Sequence, residues 1–482
     1  MSVAKNYLYN VLYQVLTLII PIITVPYVAN VLGATGVGIN AYSAATVQYF
    51  VLFGMIGVSL YGNRTIATVR DNSENLGRKF WEIYILQIIT CGIATVAYFL
   101  FVIIFVKENT NIYLVQSLYI ISAAIDISWL FMGLEEFKKT VTRNTIVKII
   151  GVICIFVFVK RAEDLILYVA ILAISNFLGQ LVLWGYLKKI INFKIIRLIK
   201  FKDMMKNLNP MLLLFVPQIA VQIYTVLNKT MLGFISTEAE VGIFDNSEKI
   251  IKITLAVVTS LGTVMLPRIS NEFAKGRLEK VNDYIYKSIN FVSIISIPMA
   301  FGMASIAKEF VGWFLPQDFY KCAIVIPILS FIIVFIAWSN VLGIQYMLPS
   351  GLNKEFTISV TIGAVVNLIL NLFLIPRFQS VGAGISTFIS EATVTIIQIY
   401  VLRKKLKFLN VISEILKYIV AGLFMVILVR VIGNNLGISI FTTLAQITLG
   451  GIAYLIMLII IRSSFIMEVY KMLRSKFKLS GN

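Results

Sequence analysis

Residues 217–233, Pro217-Gln-Ile-Ala-Val-Gln-Ile-Tyr-Thr-Val-Leu-Asn-Lys-Thr-Met-Leu-Gly233, lie inside an apolar run from Met211 to Ile235. That run is long enough to cross a bilayer. Within it Gln218, Gln222, Thr225 and Lys229 follow at steps of four, three and four, which sets all of them on one helical face. A lipid-facing helix has no use for such a stripe, so the spacing predicts one wall of a buried aqueous or ligand path. Lys229 stands six residues before Ile235, and its long stem reaches the outer interface from there. Snorkelling is therefore the competing reading.

The composition around this stretch is that of an integral membrane protein. Of 482 residues, 59% are hydrophobic and only 13% charged, against about 25% charged in a soluble domain. The formal net charge of +19 does not point to nucleic acid, because the positives sit in short clusters between apolar runs, as cytoplasmic loops do. Cys91, Cys154 and Cys322 are far apart, which gives neither a disulfide framework nor a metal site. The chain has no histidine, which excludes a histidine proton relay, general base or metal ligand. Residues 1–14 do not read as a cleavable leader, since the apolar run after them is too long and lacks a small-residue exit.

At about 20 residues per crossing, the expected fold is an all-α polytopic membrane protein. Its fourteen spans lie near 8–30, 39–62, 82–106, 112–134, 145–160, 164–187, 210–235, 249–268, 286–308, 322–347, 356–376, 381–402, 413–432 and 440–461. Alternate loops hold most of the lysines and arginines, including seven from Lys188 to Lys206 and five from Arg403 to Lys417. An even span number and that asymmetry put both termini in the cytoplasm. Leu32-Gly33 with Val37-Gly38-Ile39 is echoed by Leu232-Gly233 with Val241-Gly242-Ile243. The echo predicts two six-helix lobes related by a parallel pseudo-two-fold repeat, with a cleft between them. The expected division is an N-terminal lobe at 1–189, a basic linker at 190–209, a C-terminal lobe at 210–405, and two further helices with a basic tail at 406–482.

Charge inside the bilayer costs about 2.5–3.5 kcal/mol or more, so each such group needs a reason. Glu391 sits midway along span twelve, on one face with Gly384, Thr387, Thr395 and Gln398. It is either a coupling-cation or hydroxyl contact, or a hydrogen-bonded buried acid. Asp126, in span four, is either a cation site or a helix–helix hydrogen bond. Lys249 and Lys252 follow Asp245 and Glu248 at i,i+4, a satisfied helix start or an extension of the Lys229 strip. Arg64 is an inner anchor or a phosphate contact, and Lys148 reads as a lysine snorkelling to the cytoplasm. Gln14, Thr17, Pro21 and Thr24 stripe span one, while Gly363, Asn367 and Asn371 stripe span eleven. These stripes suit a shared polar cavity or interhelical glue.

Several stretches resemble the Wzx-type oligosaccharide flippases of the multidrug/oligosaccharidyl-lipid/polysaccharide exporter superfamily. They are Pro-Ile-Ile-Thr-Val-Pro-Tyr (21–27), Leu-Gly-Ala-Thr-Gly-Val-Gly-Ile (32–39), Ser-Leu-Tyr-Gly-Asn-Arg (59–64) and Asp-Ile-Ser-Trp-Leu-Phe-Met-Gly-Leu-Glu-Glu-Phe (126–137). Lys-Thr-Met-Leu-Gly (229–233), Val-Gly-Ile-Phe-Asp-Asn-Ser-Glu-Lys-Ile (241–250) and Asn-Leu-Ile-Leu-Asn-Leu-Phe-Leu-Ile-Pro (367–376) complete the match. The last two spans carry no such signature. The resemblance implies a non-enzymatic transporter in the bacterial cytoplasmic membrane that flips an undecaprenyl-diphosphate-linked oligosaccharide for a capsule-like glycan by alternating access. It implies membrane lipids and polysaccharide polymerase machinery as partners, no cofactor, and proton or sodium coupling through Glu391 or Asp126. Members often carry an acid where this chain has Asn228, which leaves Lys229 freer to meet a diphosphate. A drug or organic-cation antiporter is the alternative transporter. A membrane glycosyltransferase or polymerase lacks the long outer loop it would need, and one-sided polar stripes argue against an inert scaffold.

Overall fold

The computed structural model describes residues 3–188, 190–465 and 467, without the side chains of 3–18, 137–138, 216–218, 220–221, 223–224, 260–264 and 409–410. Gln14 and Gln218 lie outside the described side chains. Every regular element among the described residues is a helix. Hydrocarbon offers a backbone no partner, so each N–H and C=O must be satisfied within the segment itself. Ten runs are long and apolar enough to cross a membrane, and two of them, Ile19–Val69 and Asn353–Leu402, span 51 and 50 residues. The first breaks at Gly33 (φ 66°) inside α1 (Val3–Met55) and again at Ile56–Gly57, and the second breaks at Gln379 (φ 54°) inside α15 (Asn353–Leu402). Counting two crossings in each, together with α10 (Leu208–Ile235) and α11 (Glu238–Ala274), accommodates the fourteen spans expected. The protein is a multi-pass membrane protein.

The chain forms two compact units, Met1–Gly242 and Ile243–Asn482. The first holds α1, α2 (Val58–Val69), α3 (Ser73–Phe105), α4 (Thr110–Gln116), α5 (Leu118–Ala124), α6 (Ser128–Gly133), α7 (Phe137–Phe158), α8 (Leu165–Leu187), α9 (Phe201–Met205) and α10. Its aromatic core stacks Phe80 on Tyr84 and Trp129 with ring centroids 5.6 and 5.5 Å apart. The basic stretch after α8 is folded onto this core. Phe193 meets Trp81 edge-on at 5.4 Å, and buried Asn207 accepts from the Tyr61 hydroxyl at 2.7 Å while donating to Glu82 at 3.3 Å.

Close backbone contact ties α10 and the start of α11 to α1. A Cβ added to Gly38 would lie 1.6 Å from the Glu238 carbonyl oxygen, and one added to Gly242 would lie 2.2 Å from the Ala34 carbonyl oxygen. Ala34 precedes Gly38 by four residues, as Glu238 precedes Gly242. The crossing is therefore locally two-fold, and its two glycines occupy the echoed positions of the sequence. Nearby, Gly233 faces the Tyr42 ring, and the hydroxyls of Tyr49 and Thr230 are 2.9 Å apart.

The second unit packs α12 (Leu278–Phe314) against α16 (Leu409–Leu436) and α17 (Ile440–Ile460) through Ile297, Tyr418, Met425, Tyr454 and Leu458. Gln446 of α17 donates to buried Glu309 of α12 at 3.3 Å, and Trp313 donates to Thr443 at 2.8 Å. Those bonds seat the last two helices on the bundle.

Overpacking a tight site costs about 1–3 kcal/mol. Gly242→Val is expected to lower the melting temperature of the detergent-solubilised protein by several degrees. Gly92→Ala, where nothing lies within 4 Å of the added carbon, should leave it unchanged. Equal melting curves for the two variants would contradict the close crossing.

Candidate functional site

Span four does not run as one helix. It stops after Ala124 and restarts at Ser128, and Asp126 occupies the gap. The carbonyls freed there need donors, because an unpaired polar group in this setting costs several kcal/mol. Gln87 of α3, fully buried, supplies them: its amide donates to the carbonyls of Ala123 at 2.6 Å and Asp126 at 2.9 Å. Trp129 returns a bond to the Gln87 oxygen at 3.0 Å, and Trp184 of α8 donates to the Ile125 carbonyl at 2.9 Å. The Asp126 carboxylate accepts from the Ser128 N–H at 2.8 Å, where the second half-helix begins.

This fixed break forms part of the wall of a cavity of about 620 Å³ inside the first unit. Gln48, Ser59, Tyr119, Asp126, Asn176, Gln180 and Gln222 give it a polar lining, and Val51, Leu52, Met55, Leu60 and Leu214 an apolar one. A second cavity of about 480 Å³ shares Tyr119, Asn176 and Gln180 with the first. It continues between α1, α7 and α8 past Thr24, Arg143, Asn144, Lys148, Tyr168 and Ser175. Arg143 is buried. Its guanidinium donates to the Gly179 carbonyl at 3.2 Å, to the Gln180 amide oxygen at 2.7 Å and to the Asn144 amide oxygen at 2.9 Å. Amides and hydroxyls around a membrane-embedded hollow make hydrogen bonds to a polyhydroxylated guest, and the apolar side accommodates the ring faces or a lipid stem.

Comparison with known proteins fixes the lineage. The profile of a family described as polysaccharide biosynthesis proteins matches residues 3–273. The chain belongs to that family. A relative from Escherichia coli (strain K12), named as an O-antigen transporter, is 23% identical over 415 residues, covering 84% of this chain and 97% of its own. Among solved structures, the lipid II flippase MurJ in an inward closed conformation superposes with a TM-score of 0.78 at 15% identity, over 96% of this chain and 100% of its own. An inward-facing multidrug resistance transporter of the MATE family aligns with a TM-score of 0.59 at 12% identity, over 79% of this chain and 94% of its own. At such identities these two structures establish the fold alone. The fold and family are those expected of a polytopic transporter rather than an enzyme.

Within this family fold, the structure brings two of the sequence-selected residues to one hollow: Asp126 and Gln222 both line the larger cavity. Arg64 is exposed on α2, while on α10 Asn228 is buried and Lys229 half-buried. Lys249 and Lys252 each hold the acid four residues earlier, at 2.5 Å to Asp245 and 2.8 Å to Glu248. Asn367 and Asn371 are fully buried on α15 and bonded to each other at 3.0 Å, and Glu391 is half-buried on the same helix. Sequence reasoning passed over Gln48, Gln87, Tyr119, Arg143, Asn176 and Gln180. The i,i+4 pair Asn176 and Gln180, in an otherwise apolar span, was a usable signal.

Replacing Gln87 with leucine removes its bonds to the break, so that the Ala123 carbonyl keeps only the Asp126 N–H and the Asp126 carbonyl only the Trp129 indole, at about 1–3 kcal/mol. Gln87→Leu should melt several degrees below wild type in detergent. An unchanged melting temperature would mean that the break does not depend on this side chain.

Proposed function

We propose that this protein flips an undecaprenyl-diphosphate-linked oligosaccharide from the inner to the outer leaflet of the cytoplasmic membrane, for assembly of a surface polysaccharide such as a capsule. The observation that carries this reading is the amide- and hydroxyl-lined double cavity inside a membrane unit of a polysaccharide biosynthesis protein. Sugars are recognised by neutral donors and acceptors of this kind, and a drug-sized organic cation would instead favour an acidic lining. The E. coli relative's name and the fold of MurJ point the same way.

In this reading both termini are cytoplasmic and the two halves of the chain alternate access to the two leaflets. Gln14, Gln218, Gln222, Asn228, Asn367 and Asn371 attend the sugar along its path. Arg64, Lys229, Lys249 and Lys252 are candidates for passing contacts with the diphosphate as it crosses between the leaflets. Asp126 and Glu391 are the candidates for proton or sodium coupling, and polymerase machinery receives the product at the outer face.

Two measurements test this. Expressed in a flippase-null strain, the protein should restore lipid-linked glycan to the outer leaflet, scored by a membrane-impermeant label. Asn176→Ala with Gln180→Ala should cut that signal by about tenfold at matched expression. Normal outer-leaflet glycan without the protein, alongside loss of drug resistance, would reverse the assignment. For coupling, Asp126→Asn should flatten the dependence of export on external pH or sodium; a variant that keeps the wild-type dependence removes Asp126 from the coupling role.

A further inference from the structure

The two adjoining cavities differ in charge. Among the described residues, the larger one is lined by a carboxylate, Asp126, and by no lysine or arginine. The smaller has Arg143 and Lys148, both from α7, and no carboxylate among the described residues that line it. A guest that is neutral at one end and anionic at the other would therefore be held in one orientation. We propose that the Arg143–Lys148 cavity is the phosphate station for the lipid carrier, with the glycan lodged beyond Tyr119 on the Asp126 side. This rests on the flippase reading and adds to it where the diphosphate binds.

The geometry suits a phosphate ester. Arg143 is buried, and its planar fork is oriented by neutral oxygens on Gly179, Gln180 and Asn144. Four of its N–H groups serve those oxygens, Nη2 also reaching the Asn144 amide oxygen at 2.5 Å. A phosphate therefore enters by exchanging neutral bonds for stronger charge-assisted ones at a guanidinium already held in place. Lys148 is exposed on the same cavity wall and supplies a second, movable charge. Ser175 stands opposite α7, close enough that a Cβ on Gly151 would come within 3.2 Å of its hydroxyl. Ile20, Pro21, Val147, Val152, Ile155 and Leu172 complete the lining with apolar surface. A hollow that is cationic in one part and apolar in another takes a lipid phosphate better than a free inorganic one. Arg143 and Lys148 flank the start of span five, so this station lies near the basic-loop end of the bundle, whereas Lys229 lies near the opposite end of α10.

The test uses the full-length protein in nanodiscs of neutral lipid, with binding read by native mass spectrometry. The probes are undecaprenyl diphosphate without sugar, undecaprenol, inorganic pyrophosphate and phosphatidylglycerol. Undecaprenyl diphosphate should bind and undecaprenol should not. Arg143→Gln should weaken binding at least tenfold, or about 1.4 kcal/mol, and Lys148→Gln severalfold. Should Arg143→Gln fail to fold, Arg143→Lys keeps the charge and removes the fork, and it should bind with intermediate affinity. Wild-type affinity in the Arg143 and Lys148 variants overturns the proposal. So does pyrophosphate or phosphatidylglycerol binding as tightly as undecaprenyl diphosphate, which would mark a free-anion or general lipid site. A protein that binds undecaprenyl diphosphate through Arg143 yet moves no glycan would keep this inference and sink the flippase reading.

Discussion

A helix interrupted inside a membrane leaves carbonyls that lipid cannot satisfy, and span four of this chain is interrupted at residues 125–127. Gln87, Trp129 and Trp184 close that gap with side-chain bonds. The consequence reaches well beyond the break. The same bonds fix the two half-helices, hold Asp126 at the cavity wall, and tie α3, α6 and α8 around it. Glycine packing serves the repair, because a Cβ on Gly62 would fall 2.6 Å from the Trp129 ring. Broken helices in transporters commonly mark where substrate or ion is handled, and here the break borders the larger cavity.

That constraint also accounts for how the polar side chains are distributed. Polar groups in the first unit are either buried and committed to structure, as Gln87 and Asn207 are, or open to a hollow, as exposed Asn176 and half-buried Gln180 are. Gln180 does both, since its oxygen accepts from Arg143 while the residue lines both cavities. The neutral lining and the cationic lining are thus mechanically joined. A guest that moves Arg143 would be felt at the wall of the Asp126 cavity.

Much of the fold was legible in the sequence, because hydropathy and span length are set by bilayer thickness and need no knowledge of partners. The site was legible only in part. Asp126 and Gln222 stood out as polar residues in apolar runs and do line one cavity. Lys249 and Lys252 were equally conspicuous, yet each is held by its own i−4 acid, as the sequence spacing also allowed. Arg143 was hidden for the opposite reason. It falls in a loop-end cluster with Lys138 and Lys139 that looks like ordinary inside-positive marking, and only the placement of Gly179 and Gln180 shows it drawn into the bundle. Lys148 likewise reads as a snorkelling lysine until α8 and α1 are set beside it. Helix periodicity reports which residues share a face; which neighbour that face meets is decided by packing between distant segments.

The most direct measurement is an electron cryomicroscopy map of the full-length protein in nanodiscs with an undecaprenyl-diphosphate-linked oligosaccharide. The account expects head-group density inside the first unit, with the phosphates at Arg143 and Lys148 and the sugars running past Tyr119 toward Asn176 and Asp126. Head-group density confined elsewhere, with both of these cavities empty, would contradict it.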